Sequence, residues 1–210
     1  MPKKRKQSQR QYKKQIFIAC EGKKTEPNYF NGFKKLCDLD RAVNVKIVSH
    51  EHTSAKELVE DVLKFKETEN DELWVVFDKD GYTKHHEAFC KAKDNGVNIA
   101  FSSISFEYWL LLHFEYTSSS FQKSKNVEHA LKKHLPDYEK KWTEIFEKVS
   151  HLIQDAIIHA KRRKKEVGTA NYDDCKIYKL NPYTNVDELL HAIENLRSEY
   201  QRDPVFLFKY

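Results

Sequence analysis

Leu73-Trp74-Val75-Val76-Phe77-Asp78-Lys79-Asp80-Gly81 is the stretch whose reading decides the fold. Its unbroken apolar run, rich in β-branched and aromatic residues, predicts a strand over 73–77 buried on both faces, as a central strand of a parallel sheet must be. The run stops at two aspartates and a glycine. Residues two apart in an extended segment share a side, so Asp78 and Asp80 can lean toward one ligand. Asp and Gly also favour solvated turns on their own account, and Asp-x-Asp-Gly alone is compatible with that.

A second apolar run also ends in acid: Ile16-Phe17-Ile18-Ala19-Cys20, then Glu21-Gly22. It predicts the first strand, over 15–20. If the two strands are parallel neighbours, Glu21, Asp78 and Asp80 meet at the carboxyl edge of the sheet, where doubly wound folds bind their ligands. Carboxylates crowded there repel by roughly a few kcal/mol per pair at an effective dielectric near 20, so a compensating cation is expected among them. A hard, oxygen-seeking ion, Mg²⁺ or Mn²⁺, suits three carboxylates. Gly22 and Gly81 are expected to let the backbone turn sharply after each acid.

Outward from these strands, apolar β-rich runs alternate with amphipathic stretches, the pattern of an α/β fold with a parallel central sheet and helices on both faces. Thr25-Glu26-Pro27 starts a helix along which Tyr29, Phe30, Phe33, Leu36 and Cys37 recur at helical spacing. Residues 43–48 alternate as a strand, and Ser54 can cap a helix carrying Leu58, Val59, Val62, Leu63 and Phe65 on its buried side. A helix over 83–95 and a strand over 97–101 follow, then a loop at Ser102-Ser103-Ile104-Ser105 and a buried helix over Phe106–Phe114. The expected division is a basic disordered tail (1–14), an α/β core (15–116), a helical insertion (117–180) and a C-terminal helix packing back on the core (181–210). Within the insertion, residues 126–164 read as helices, and 181–185 as a loop.

The composition of the 210 residues, 40% hydrophobic with a net charge of +5, describes a core beneath a heavily charged surface. No apolar run approaches the ~18 residues of a membrane span, and no signal-type segment follows the basic N-terminus, so a cytoplasmic protein without a membrane partner is expected. Cys20, Cys37, Cys90 and Cys175 form no CxxC pair and read as free, mostly structural thiols in a reducing compartment. No GxxxxGK loop is present, which leaves nucleotide-driven control to another chain. His50-Glu51-His52 lacks a third ligand at convincing spacing and reads as surface.

Basic residues 1–14 and Lys161-Arg162-Arg163-Lys164-Lys165 offer a nucleic-acid surface. The second cluster also suits the end of a helix, where cations favour the dipole. Lys23 and Lys24 can contact phosphate or sit in a solvated loop. Glu107, opening a helix after the fourth strand, either joins the acidic edge or simply favours that helix start. His113 reads as a hydrogen-bonded core histidine before a site residue, and Glu26 as a cap of its own helix.

The Glu-Gly after the first strand and Asp-x-Asp after the third resemble the Toprim domain of topoisomerases, primases and overcoming-lysogenization-type nucleases. Ala19-Cys20-Glu21-Gly22-Lys23-Lys24-Thr25-Glu26-Pro27-Asn28-Tyr29-Phe30, Phe77-Asp78-Lys79-Asp80 and Ser105-Phe106-Glu107-Tyr108-Trp109-Leu110-Leu111-Leu112-His113-Phe114 resemble the RloB/AbiLii family of phage-defence proteins, as does the shorter Asn181-Pro182 with Thr184-Asn185. The resemblance implies an Mg²⁺-dependent nuclease cutting RNA, including transfer RNA, or DNA beside a partner ATPase. By that resemblance Glu21 would act as general acid/base or metal ligand, with Asp78 and Asp80 holding one or two Mg²⁺ ions and Lys24 on phosphate. Glu107 is a further catalytic candidate from its position, and Lys161, Arg162 and Arg163 are nucleic-acid candidates from their charge. The alternative is a catalytically silent subunit that docks to nucleic acid or the ATPase. Self-association into a homo-oligomer stays open.

Overall fold

The computed structural model describes residues 13–47, 54–80, 83–169, 173–201 and 207–208. The basic residues 1–12, His50-Glu51-His52 and Gly81 lie outside the described residues. Strands β1 (Ile16–Cys20), β2 (Val43–Ile47), β3 (Glu72–Asp78), β4 (Val97–Ser103) and β5 (Tyr183–Thr184) form one sheet in the order β2-β1-β3-β4-β5. The first four are parallel, and β5 runs antiparallel to β4.

Alternation along the strands creates two cores. Ile16, Ile18, Cys20, Trp74 and Val76 point to one face, and Phe17, Ala19, Leu73, Val75 and Phe77 to the other. The second face is covered by α2 (Ala55–Val62) and α3 (His85–Asp94). Ser54 starts α2 with a reciprocal capping box, its Oγ accepting from Glu57 N at 3.4 Å while Glu57 Oε2 accepts from Ser54 N at 3.2 Å. The first face is covered by α1 (Thr25–Leu36), α4 (Glu107–Leu111), α5 (Ser124–Leu131), α6 (Ile145–Val149), α7 (Ile153–Val167) and α8 (Val186–Tyr200). Helix α1 therefore lies on one face and α3 on the other, so the chain winds in opposite senses from the middle of the sheet. The seam between β1 and β3 is the switch point.

Residues 117–180 enter between α4 and β5. Their Val127, Leu131, Tyr138, Ile145, Val149, Ile153 and Ile157 share one apolar cluster with Ile16, Phe30 and Leu190. A 3₁₀ segment at Asp174–Lys179 adds Ile177 and Tyr178 to the opposite face.

Three sequence expectations are corrected. Residues 181–185 contain β5, because Ser102 and Ser103 extend β4 and pair with Thr184 and Tyr183. The two serines sit in a strand rather than a loop, with Ser102 Oγ and Thr184 Oγ1 3.1 Å apart across the pair. Residues 126–164 are not continuously helical: Pro136 lacks the amide a helix needs, and the chain is irregular from α5 to α6.

Candidate functional site

Backbone pairing carries the acids past the ends of their strands. Glu21 N donates to Val76 O at 3.0 Å, so β1 and β3 remain zipped at the first acid. Lys79 N and Asp80 N donate to Ser102 O and Ile104 O, both at 3.0 Å, extending the Asp-x-Asp segment along β4. Glu21 and Asp78 therefore stand together at the switch point, with Glu21 Oε2 accepting from Asp78 N at 3.1 Å. Asp80 is more exposed, and its Oδ2 accepts from Ser124 N at 3.3 Å at the start of α5.

Two further carboxylates complete the cluster. Glu26 is buried in the first turn of α1, its carboxylate packed against Gly22 so closely that a Cβ at residue 22 would overlap it. The backbone bends over residues 21–24 without a positive φ at Gly22, and the glycine also leaves room for Glu26. Glu107 opens α4 at 3% exposure. Its Oε1 accepts from Tyr138 OH at 3.0 Å and faces Lys140 Nζ at 3.4 Å. Lys140 is itself held by backbone: Thr25 Oγ1 donates to Lys140 O at 2.7 Å, and Asn28 Nδ2 to Trp142 O at 3.0 Å.

These side chains line one cleft of about 440 Å³ together with Lys23, Lys24, Phe106 and Lys141. Its electrostatics follow from burial and crowding. Burial raises the Glu21 carboxyl, the Asp78 amide opposes, and Glu26 and Asp80 add repulsion, leaving it at about 7. Burial likewise lifts Glu26 to about 7, with Glu107 adding to the rise while Glu26's own amide and Lys140 oppose it. Asp78 is pushed well above the usual range by burial and then by Glu26, Glu21 and Glu107. Its Oδ1 is shut off from solvent and has no hydrogen-bond partner among the described residues. Burial alone would lower the Lys140 ammonium, but Glu107 and Asp78 outweigh it and hold it above an ordinary lysine.

Among the described residues no three acidic, imidazole or thiol groups form a ready-made metal cage. The donor set nonetheless fits a hard divalent cation: all-oxygen donors, an orphaned carboxylate oxygen on Asp78, and carboxyls whose charge is disfavoured until a cation joins them. Glu21 and Asp78 are the residues placed to hold it with Glu26, and Asp80 would join by releasing Ser124 N.

The other expected site residues fall elsewhere. None of Lys161, Arg162 and Arg163 lines the cleft. Arg162 lies over the Tyr116 ring at 3.9 Å and pairs with Glu166 at 3.1 Å, while Arg163 Nε donates to Pro182 O at 2.9 Å. Lys164 binds Asp187 and Glu188 at 2.7 and 2.8 Å, so much of this run ties α7 to the start of α8. His113 is a core residue: Nδ1 donates to Trp109 O at 3.1 Å, Nε2 accepts from Tyr29 OH at 3.1 Å, and burial drives its pKa down to about 3. Lys140 had no signal in the sequence, since only the folded connector brings it to Glu107. Glu26 lay inside a quoted motif, and its place in the first turn of a helix hid its second use.

The fold and cleft define an α/β protein that gathers acidic side chains and lysines at the switch point of a doubly wound sheet. No helix among the described residues is long and apolar enough to cross a membrane. The family model described as RloB-like protein matches residues 16–193, and the chain belongs to that family. No curated protein and no solved structure matches the chain.

Proposed function

We propose that this chain is a divalent-cation-dependent phosphodiesterase of Toprim type that cleaves RNA, including transfer RNA, or DNA in the cytoplasm as the effector of an antiphage system with a partner ATPase. The observation that carries the reading is the convergence of Glu21, Glu26, Asp78 and Glu107 in one cleft rimmed by Lys23, Lys24, Lys140 and Lys141. Acids alone would repel a phosphodiester, and lysines alone would only bind it. Together they suit a site that grips a polyanion and reacts at one of its phosphates.

When bound, Mg²⁺ or Mn²⁺ would supply charge neutralisation at the phosphate and a more acidic attacking water. Glu21, Asp78 and Asp80 are the residues assigned to holding it. Glu26, whose carboxyl is raised by burial and by Glu107, adds its charge to the same cluster when the cation is bound. Lys140 and Lys24 are assigned to the phosphate oxygens. With no phosphate-cradling loop in the sequence, control by ATP falls to the partner chain.

The test is incubation of the purified protein with transfer RNA, plasmid and single-stranded substrates in Mg²⁺, Mn²⁺ or EDTA, with and without the ATPase. Cleavage is expected with either metal and absent in EDTA, in Asp78→Ala and in Glu21→Ala, with circular dichroism unchanged. Binding without cleavage under every condition would overturn this reading in favour of a silent docking subunit.

A further inference from the structure

Away from the acidic cleft, α3 and the 3₁₀ segment Asp174–Lys179 are held together by side chains that also assemble a small reactive group. The His85 ring stacks on Tyr178, centroids 5.9 Å apart and 12° from parallel, and Lys93 Nζ reaches Asp174 Oδ2 at 3.2 Å. Between these contacts His86 Nδ1 lies 3.0 Å from Cys175 O. A carbonyl oxygen only accepts, so Nδ1 carries the proton and a neutral imidazole presents Nε2 as an acceptor. That nitrogen is 3.8 Å from Cys90 Sγ, one helical turn away. One imidazole thus touches both the Cys175 backbone and the Cys90 thiol, bringing the two cysteines to the same spot. Both are partly exposed, whereas Cys20 and Cys37 are buried.

We propose that Cys90 and Cys175 are an oxidisable dithiol site, with His86 as the base for Cys90 and a low-molecular-weight disulfide as co-reactant. His86 Nε2 takes the Cys90 proton, and the thiolate attacks one sulfur of oxidised glutathione. The glutathione S–S bond breaks, the departing thiolate takes up the proton, and a mixed disulfide remains on Cys90. Cys175 then attacks the Cys90 sulfur, its proton leaving with the second glutathione. The two protein thiols are oxidised to one disulfide and one glutathione disulfide is reduced to two thiols. Contact with Cys90, and then burial, push the Cys175 thiol up to about 11, which suits the second, resolving position. The bond closes the long loop between α3 and the 3₁₀ segment and replaces side-chain docking with a covalent staple.

The test uses the full chain under native conditions with oxidised glutathione, followed by intact mass and peptide mapping. The expected product has lost two hydrogens, retains no glutathione, maps to a Cys90–Cys175 cross-link and melts several degrees higher. Cys175→Ser is expected to trap glutathione on Cys90, and Cys90→Ser to react severalfold more slowly. His86→Gln should slow the first step severalfold while reaching the same product. Cross-linking between chains, stable glutathione on both cysteines of the wild type, or thiols still free when a model dithiol is fully oxidised would each overturn the proposal. Nuclease activity is not read in this experiment, so its outcome stands apart from the fate of the acidic cleft.

Discussion

Lys140 Nζ stands 3.4 Å from Glu107 Oε1, joining the connector before α6 to the first residue of α4 on the floor of the acidic cleft. The lysine side chain is 56% exposed and its partner 4%, so one end of the pair is wet while the other depends on it. Among the described residues, Glu107 keeps the Tyr138 OH hydrogen bond when that ammonium is removed.

Lys140→Ala is therefore expected to destabilise the protein by about 1 kcal/mol in EDTA, the partial exposure of the lysine screening what a fully buried pair would lose. Saturating Mg²⁺ should recover part of that loss, because a bound cation replaces the missing charge. Urea denaturation of both proteins with and without the ion measures it. Equal loss in both conditions would separate Lys140 from the cation site.

The raised carboxyls fix the sign of a pH dependence. Glu21 and Glu26 have folded pKa values of about 7 against an ordinary 4.5, so the folded state binds more protons than the unfolded between those values. Stability in EDTA from these groups is thus highest below about 4.5 and falls as pH rises toward about 7. Glu26→Gln removes a charge that burial disfavours, and is expected to stabilise by about 2 kcal/mol at pH 8 and by little at pH 5. Denaturant midpoints at the two pH values check this, and Mg²⁺ should raise the wild-type midpoint more at pH 8 than at pH 5.

Gly22→Ala and Gly96→Ala make a matched pair. A methyl at residue 22 would overlap the Glu26 carboxylate, whereas residue 96 has φ +65° and open space around it. Gly96→Ala is expected to cost about 1 kcal/mol from backbone strain and to leave Mg²⁺ binding unchanged. Gly22→Ala should displace the flexible end of Glu26 and weaken Mg²⁺ binding severalfold at similar stability. Calorimetric titration with the metal distinguishes them.

Asn185 substitutes for a strand at the edge of β4. Its Oδ1 accepts from Phe101 N at 2.7 Å, and its Nδ2 donates to Ile99 O at 2.8 Å. Asn185→Ala strands both backbone groups and is expected to cost about 2–3 kcal/mol, visible as a lower melting midpoint. Asn185→Asp keeps the acceptor and loses the donor, so it should fall between.

The sheet was legible because burial on both faces leaves continuous apolar runs: residues 73–77 and 15–20 announce β3 and β1 without help from their neighbours. Glu21 and Asp78 were legible for the same reason, each following directly on such a run. Tyr183 and Thr184 were not, since two residues have no periodicity and their pairing is supplied by Ser102 and Ser103 from far along the chain. The basic run at 161–165 was ambiguous because composition does not say whether a cation faces solvent, a phosphate or a carboxylate; Lys164 meets Asp187, and Arg163 meets the Pro182 carbonyl, only in the folded protein.

The two faces of the sheet mature differently. Helices α2 and α3 cover most of theirs with chain that directly precedes or follows the strands beneath, while the face bearing Ile16, Trp74 and Val76 waits for Ile157 and Leu190. A nascent chain ending near residue 116 would carry Glu21, Asp78 and Glu107 on a half-clothed sheet, lacking both Tyr138 and Lys140. The acidic cleft is for that reason a property of the finished polypeptide, and cannot be excised with its strands as a minimal domain.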